Sequence, residues 1–217
     1  MKKINWKWQE TAAVAAGLLT LAYALMNYSR LPDKLPSHFG WNGEVNGYMD
    51  KAAVIAMTGL LGPLLPLLIR FTRRLDPKRD NYKRFEGAQG AIVLTISLFF
   101  DLMLLGTVRY GLGSTWIGGK LATAFAGVLL IIVGNYMPQI RDNYFLGIRT
   151  PWTLASPEVW RRTHRLGGLM WVAGGLLVIA GALTRGPVSP VLLASGLVLA
   201  ILVPVVYSWL LHRRLRS

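Results

Sequence analysis

Residues 191–211 read VLLASGLVLAILVPVVYSWLL, a run of 21 residues without a charged side chain. A spanning α-helix needs about 20 mostly apolar residues, because it must cross a hydrocarbon layer about 30 Å thick. This run is therefore predicted to cross a membrane. Five further runs in the 217-residue chain have similar character, and together they predict an all-α polytopic membrane protein. The six predicted spans are Thr11–Tyr28, Ala52–Phe71, Gly87–Arg109, Gly119–Met137, Leu166–Thr184 and Val191–Leu211.

The composition agrees with this class of protein. Charged residues make up only 16% of the chain, whereas a soluble domain usually carries about a quarter. The net charge of +14 comes from basic residues clustered between the apolar runs, which argues against nucleic-acid binding. The absence of cysteine excludes disulfides, thiolate metal sites and cysteine nucleophiles. The basic start, Met1–Glu10, resembles a signal peptide, but no small-residue cleavage site follows, so a retained first helix is predicted.

The distribution of basic residues predicts the orientation. With the N-terminus inside, 18 of the 24 Lys and Arg residues lie in inner segments and 6 in outer ones, so the positive-inside rule favours an N-in/C-in topology. We expect a single membrane domain, 1–217, with a structured outer loop at 29–51 and a cytoplasmic motif loop at 138–165. Residues of these two loops cannot share one site unless a loop re-enters the bilayer.

The outer loop is more than a connector. Residues 31–48 read LPDKLPSHFGWNGEVNGY, with two Asn-Gly turn dipeptides, and we expect a small hairpin around Trp41–Val45. Its aromatic side chains lie either at the headgroup level, as in an aromatic belt, or against a ligand. His38 and Glu44 suggest a metal or acid–base pair only weakly, because no third ligand is near. A local hydrogen bond is the favoured role of His38, and no metal or cofactor is predicted.

The inner loop is also distinctive. Residues 143–165 read NYFLGIRTPWTLASPEVWRRTHR, and Ser156-Pro157-Glu158 is typical of a helix start. The predicted short amphipathic helix carries Trp160 and His164 on one face, and it either lies in the headgroups or docks a cytoplasmic partner. Pro151 forces a bend at Thr150, and Arg149 is placed to bond loop carbonyls or a lipid phosphate.

Polar residues within the spans are few. Asp101 lies in the third span, in the outer half of the bilayer, where a carboxylate must pair or stay protonated. Lys120 is the preferred partner, with Lys51 and Arg109 as alternatives, and the group serves either a function or an interhelical tie.

Two further features of the spans carry predictions. Pro63 and Pro66 are expected to kink the second helix without breaking it. Asn27 and Asn135 lie near helix ends and are expected to form hydrogen bonds between helices.

The two loops together resemble the SdpI family of bacterial membrane proteins. The outer resemblance runs over Leu35–Lys51, with a proline, a spaced His-Phe, Gly-Tyr and a lysine. The inner one runs over Asn143–His164, with Gly-Ile-Arg-Thr-Pro-Trp-Thr, a spaced Trp and Thr-His. The resemblance implies an outer ligand contact and an inner partner surface. The outer residues are His38, Phe39, Trp41, Gly43, Gly47 and Tyr48. The inner residues are Asn143, Gly147, Arg149, Thr150, Pro151, Trp152, Trp160, Thr163 and His164.

The family also implies a function. Its namesake protects a spore-forming bacterium from a secreted, hydrophobic toxic peptide, and is described as a receptor that holds a transcriptional repressor at the membrane. By resemblance we expect a multi-pass protein of the bacterial cell membrane that binds such a peptide, confers toxin resistance and signals to a repressor, without being an enzyme. Three alternatives stay open: a membrane metallohydrolase, although no His-Glu-x-x-His is present; a proton-coupled transporter or flippase using Asp101; and a scaffold.

Overall fold

The computed structural model describes residues 6–40, 43–114 and 118–216. Within these ranges, six α-helices are long and apolar enough to cross a membrane, and a seventh α-helix is short. The predicted number of spans and the all-α class are confirmed. The long helices are α1 (Trp8–Met26), α2 (Lys51–Leu75), α3 (Glu86–Gly111), α4 (Gly119–Tyr136), α6 (Pro157–Leu183) and α7 (Val188–Arg214); the short one is α5 (Pro151–Ala155).

The loop between α1 and α2 forms a β-hairpin. Strands β1 (Lys34–Phe39) and β2 (Val45–Asp50) pair antiparallel, with Lys34 opposite Asp50 and an irregular register around His38. The hairpin is longer than predicted, and the expected turn lies between its strands. Gly43 has φ +82°, a conformation that glycine adopts most easily. Trp41 and Asn42 lie outside the described residues.

The chain divides into two compact units, and the first contains residues 1–68 and 93–122. It includes α1, the hairpin and the parts of α2 and α3 that adjoin it. Lys51 anchors the start of α2, since its ammonium donates to the Leu31 carbonyl at 3.1 Å and lies 3.3 Å from Asp33. Buried side chains from the helices and the hairpin form a shared core; they are Ala24, Leu31, Leu35, Val54, Ile55, Leu104 and Val108.

The second unit contains residues 69–92 and 123–217. Its helices approach one another through glycines. A Cβ atom at Gly168 of α6 would lie 2.6 Å from the Gly134 carbonyl oxygen of α4, and one at Gly196 of α7 would lie 2.6 Å from the Gly174 carbonyl oxygen of α6. Such distances are shorter than van der Waals contact, so these positions hold the backbones close together, as small residues do in membrane helix pairs.

The start of α6 corrects one expectation. Ser156 caps the helix by accepting a hydrogen bond from the Val159 amide, as predicted. However, the helix continues without a break to Leu183, so the expected separate amphipathic helix is the first two turns of a spanning helix. The bend predicted at Thr150 begins α5, which Thr150 caps through the Thr153 amide.

Candidate functional site

An apolar groove of about 290 Å³ lies in the first unit, between the hairpin and α2 and α3. The positive-inside rule predicts that the hairpin lies outside the membrane, so we call this the outer groove. Met57 is 61% exposed and Met49 38%, so both side chains are accessible at the groove. The lining side chains include Phe39 and Met49 of the hairpin, Met57 and Thr58 of α2, and Phe100 and Met103 of α3.

The predicted outer residues divide between groove and hairpin. Phe39 lines the groove, whereas His38 forms a 2.5 Å hydrogen bond across the hairpin with Asn46. The Tyr48 hydroxyl meets that of Tyr110 on α3, and this hydrogen bond raises the pKa of Tyr48. His38 therefore takes the local role that the sequence favours, and Tyr48 ties the hairpin to α3. Among the described residues, no group of three His, Asp or Glu side chains is placed to hold a metal ion.

The two predicted outer glycines are required by close packing. A Cβ atom at Gly47 would lie 3.0 Å from the Cβ of His38 on the opposite strand. At Gly43, where φ is also positive, it would lie 2.7 Å from the Lys120 side chain, and the Gly43 carbonyl accepts from the Gly119 amide at 3.1 Å. The turn of the hairpin thereby rests on the first residues of α4.

The inner loop, in the second unit, is organised by Asn143. This side chain is fully buried, and its Oδ1 accepts from the backbone amides of Phe145 at 2.9 Å and Leu146 at 2.7 Å. Its Nδ2 donates to the carbonyls of Arg141 at 2.8 Å and Leu146 at 2.9 Å. Because Asn143 bonds mainly to backbone groups, it fixes the shape of the loop and is not available to a partner protein.

Asp76 and Tyr82, which the sequence did not single out, complete this arrangement. The Asp76 carboxylate accepts from the Tyr82 hydroxyl and the Tyr144 amide, both at 2.9 Å, and the Tyr82 hydroxyl also lies 3.1 Å from Asn143 Oδ1. Burial and the Asp76 carboxylate both raise the pKa of Tyr82. Asp76 precedes Asn143 by 67 residues, so no local sequence signal links the two.

His164 and Trp160 are stacked inside the same unit. Their rings lie 4.1 Å apart, and the residues are only 1% and 2% exposed. The Ile148 amide donates to His164 Nε2 at 3.0 Å, so Nε2 carries no proton, and Nδ1 donates to the Trp160 carbonyl at 2.9 Å. This histidine is therefore neutral and structural. Gly147, with φ +114°, lies against both rings, where a Cβ atom would collide with His164 Nε2.

The Thr-Pro-Trp segment joins the loop to α7. The indole of Trp152 donates to the buried Ser208 hydroxyl, and Trp160 donates to the Ile140 carbonyl at 2.9 Å. Arg149 is exposed and donates to the Tyr144 carbonyl at 2.8 Å, which is one of the two roles expected for it. Pro151 is exposed at the start of α5, and the buried Thr163 hydroxyl has no hydrogen-bond partner among the described residues.

These positions revise the expected inner partner surface. Five of its nine residues are buried; they are Asn143, Thr150, Trp160, Thr163 and His164. All of these except Thr163 form hydrogen bonds within or to the loop. A polar pocket of about 510 Å³ remains beside them, which we call the inner pocket. Its carboxylates are occupied, because Asp142 pairs with Lys78 at 2.8 Å and Glu158 with Arg161 at 2.6 Å. The lining residues Arg84 and Arg141 form no ion pair within the described chain, so the pocket carries excess positive charge.

The polar residues of the spans also differ from expectation. Asp101 is buried and pairs with none of the expected cations. Its carboxyl group instead contacts the α2 backbone at Gly62, where a Cβ atom would collide with it. Asn27 donates to the Tyr23 carbonyl of its own helix at 2.9 Å rather than to another helix. Asn135 is exposed near the end of α4 and forms no hydrogen bond to another helix within the described residues.

The architecture defines a multi-pass α-helical membrane protein with an apolar groove beside a short hairpin and a hydrogen-bonded polar loop in the other unit. Residues 139–208 match the SdpI/YfhL protein family, and residues 16–62 match a domain of unknown function, DUF1648. The chain is 23% identical over 205 residues to "Immunity protein SdpI" of Bacillus subtilis (strain 168), covering 92% of this chain and 93% of that protein. No solved structure matches. These matches confirm the resemblance to the SdpI family that the two loop motifs indicate.

The SdpI/YfhL family match extends further toward the C-terminus than the inner motif. The sequence motif ends at His164, and the last helix shows only apolar character. The match nevertheless continues to Ser208, which accepts the hydrogen bond from Trp152. The family region therefore contains the inner loop together with the helix position that holds its Thr-Pro-Trp segment.

Replacing Asn143 by alanine tests the structural role of the inner loop. Asn143→Ala leaves buried backbone amides and carbonyls without partners, so we expect it to destabilise the chain by about 3 kcal/mol. The melting temperature of the purified protein in detergent should fall by several degrees. The exposed Asn135→Ala is the matched control and should melt like the wild type. An Asn143→Ala variant that also melts like the wild type would contradict the structural role.

Proposed function

We propose that this protein is an immunity protein, which protects a bacterial cell by binding a secreted hydrophobic toxic peptide in the outer groove. The groove is the observation that carries the proposal, because it offers an apolar site formed jointly by the hairpin and two long helices. The relative named an immunity protein supports the same role, since it matches over nearly the full length of both chains.

The size of the groove limits what it holds. Binding sites for whole drug-sized ligands occupy roughly 300–1,000 Å³, so a groove of about 290 Å³ accommodates one or two large apolar side chains. Burying such a side chain contributes about 1.5–3 kcal/mol. The peptide is therefore anchored by a short apolar segment. Methionines fit this task because their flexible side chains adapt to different apolar shapes.

The proposed mechanism is stoichiometric. A peptide held beside the hairpin is withheld from the oligomers or inserted states by which it damages the bilayer. One protein then neutralises one bound peptide, so protection depends on the amount of protein relative to peptide. A peptide-degrading enzyme would behave differently, because each copy would inactivate many peptides.

A second proposed function is the capture of a transcriptional repressor at the inner face once the peptide is bound. The inner pocket supports it, because Arg84 and Arg141 present guanidinium groups that no carboxylate neutralises. An acidic segment of a cytoplasmic protein complements this charge. The buried Trp160 and His164 would act only indirectly, by shaping one wall of the pocket.

Truncating the groove tests the primary function. In a peptide-sensitive bacterium, the double variant Phe39→Ala/Met57→Ala loses two apolar contacts, each worth about 1–2 kcal/mol. We expect it to protect only against peptide concentrations at least ten times lower than wild type. Survival and membrane potential are followed while a secreted hydrophobic toxic peptide is titrated in.

The matched control for this test is Leu60→Ala/Leu64→Ala. These leucines are exposed on α2 outside the groove, so their loss should leave protection unchanged at equal protein levels. If both double variants protect as well as wild type, the groove is not the binding site. If wild type protects against a large molar excess of peptide and leaves cleaved fragments, the stoichiometric mechanism is wrong and degradation replaces it.

The inner pocket makes a separate prediction. The Arg84→Ala/Arg141→Ala variant removes the unpaired positive charge but leaves the groove intact, so it should keep full protection. Any change in transcription that wild-type protein produces when peptide is added should disappear in this variant, as measured by RNA sequencing. The exposed pair Arg213→Ala/Arg214→Ala is the control for loss of two charges. Peptide-dependent transcription that survives in Arg84→Ala/Arg141→Ala would refute the pocket as the capture site.

A further inference from the structure

Two buried polar side chains in the first unit have no hydrogen-bond partner within the described chain. Both carboxyl oxygens of Asp101 are unsatisfied, although the residue is only 6% exposed. Ser97, one helical turn earlier on the same face of α3, is completely buried, and its hydroxyl is also unsatisfied. Leaving an ionised carboxylate in this state inside a membrane is costly, so the side chain needs either a counter-charge or a proton.

Helix α2 lies opposite Asp101 and leaves room for its carboxyl group at Gly62. Gly62 of α2 is buried, and a Cβ atom there would collide with the Asp101 carboxyl group. The carboxyl group therefore rests directly on the α2 backbone. Both residues lie well inside their helices: Gly62 is 11 residues from the start of α2, and Asp101 is 10 from the end of α3. At 1.5 Å per residue each lies about 15–17 Å from the outer end of its helix.

The same helix also supplies an acceptor. Pro66 follows Gly62 by four residues and has no amide hydrogen, so it cannot complete the helical hydrogen bond to the Gly62 carbonyl. Pro63 has the same effect on the carbonyl of Gly59. An ionised carboxylate can only accept hydrogen bonds, whereas a protonated carboxylic acid donates one. The free carbonyl of Gly62 is thus a partner for the acid form of Asp101 but not for the carboxylate.

No neighbouring charge favours the carboxylate. Asp101 is the sole charged residue of 87–108 in α3, and 52–69 in α2 contain none. The helix α1 packs on α2, with Gly17 against Pro63, and its titratable groups are Glu10, which accepts from the Lys7 amide, and Tyr23. Lys51 and Arg109 lie at the outer helix ends, and Lys51 is held by Leu31 and Asp33; Lys120 begins α4.

We propose that Asp101 is a proton-binding site, whose carboxyl group carries a proton at neutral pH and donates it in a hydrogen bond to the Gly62 carbonyl that Pro66 leaves free. This site is distinct from the outer groove and does not depend on any peptide. It has one consequence for the groove, because α2 and α3 form two of its walls. The hydrogen bond from Asp101 to Gly62 links these two helices below the level of Met57 and Met103.

Infrared spectroscopy of the purified protein in lipid bilayers tests the proposal. With ¹³C-labelled aspartate, the wild type should show the carbonyl stretch of a protonated carboxylic acid at pH 7, and Asp101→Asn should lack it. Pro66→Ala restores an amide donor to the Gly62 carbonyl, so the acid band should move to higher frequency as its hydrogen bond weakens. Pro204→Ala, which alters a proline inside α7, is the matched control and should leave the band unchanged.

Two results would overturn the proposal. A wild-type spectrum without an aspartic acid band at pH 7 means that Asp101 is ionised, and a carboxylate band that responds to sodium identifies a cation site instead. An acid band that is present but does not shift in Pro66→Ala would show that the Gly62 carbonyl does not accept a hydrogen bond from Asp101. This second comparison retains Asp101 and holds even if Asp101→Asn does not fold. Stability adds a check: wild type should lose stability as the pH is raised, because the folded state holds the proton, and Asp101→Asn should not.

Discussion

Lipid offers no hydrogen-bond partner to a peptide group, and this constraint organises the whole chain. It is the reason that the apolar runs fold as helices, in which each run satisfies its own backbone. It also explains why the hairpin is placed between α1 and α2 rather than inside a span, since its edges need water or neighbours. In lipid, close packing rather than exclusion of water holds helices together. The glycines that bring α4, α6 and α7 together allow such packing.

The inner loop and the outer groove differ in how their side chains are covered. The inner loop satisfies its polar groups internally: Asn143 binds the loop backbone, Asp76 binds Tyr82 and Tyr144, and His164 binds Ile148. Most of the distinctive residues of this loop are therefore buried and not available for recognition. The outer groove instead leaves apolar side chains incompletely covered. A ligand that is itself hydrophobic suits the outer groove, while a charged partner suits the inner pocket.

Much of the fold could be predicted from the sequence, because span length and apolar composition are local properties. The six helices and the cap at Ser156 follow from such signals. The site was harder to predict, because its contacts are distant in sequence. Trp160 and His164 share a helix face, as expected, but that face is buried by Gly147 and Ile140 rather than exposed. Likewise, charge pairing suggested a cation for Asp101, whereas the missing side chain of Gly62 determines its surroundings.

The predicted topology puts the hairpin loop outside the membrane and the motif loop inside, and single-cysteine labelling tests this prediction most directly. The chain contains no cysteine, so Ser37→Cys beside the groove and Ala155→Cys at the end of α5 each provide one thiol. Both positions are exposed. A membrane-impermeant maleimide should label Ser37→Cys in spheroplasts and Ala155→Cys only after permeabilisation. Labelling of Ala155→Cys in intact spheroplasts, with Ser37→Cys protected, would contradict the account.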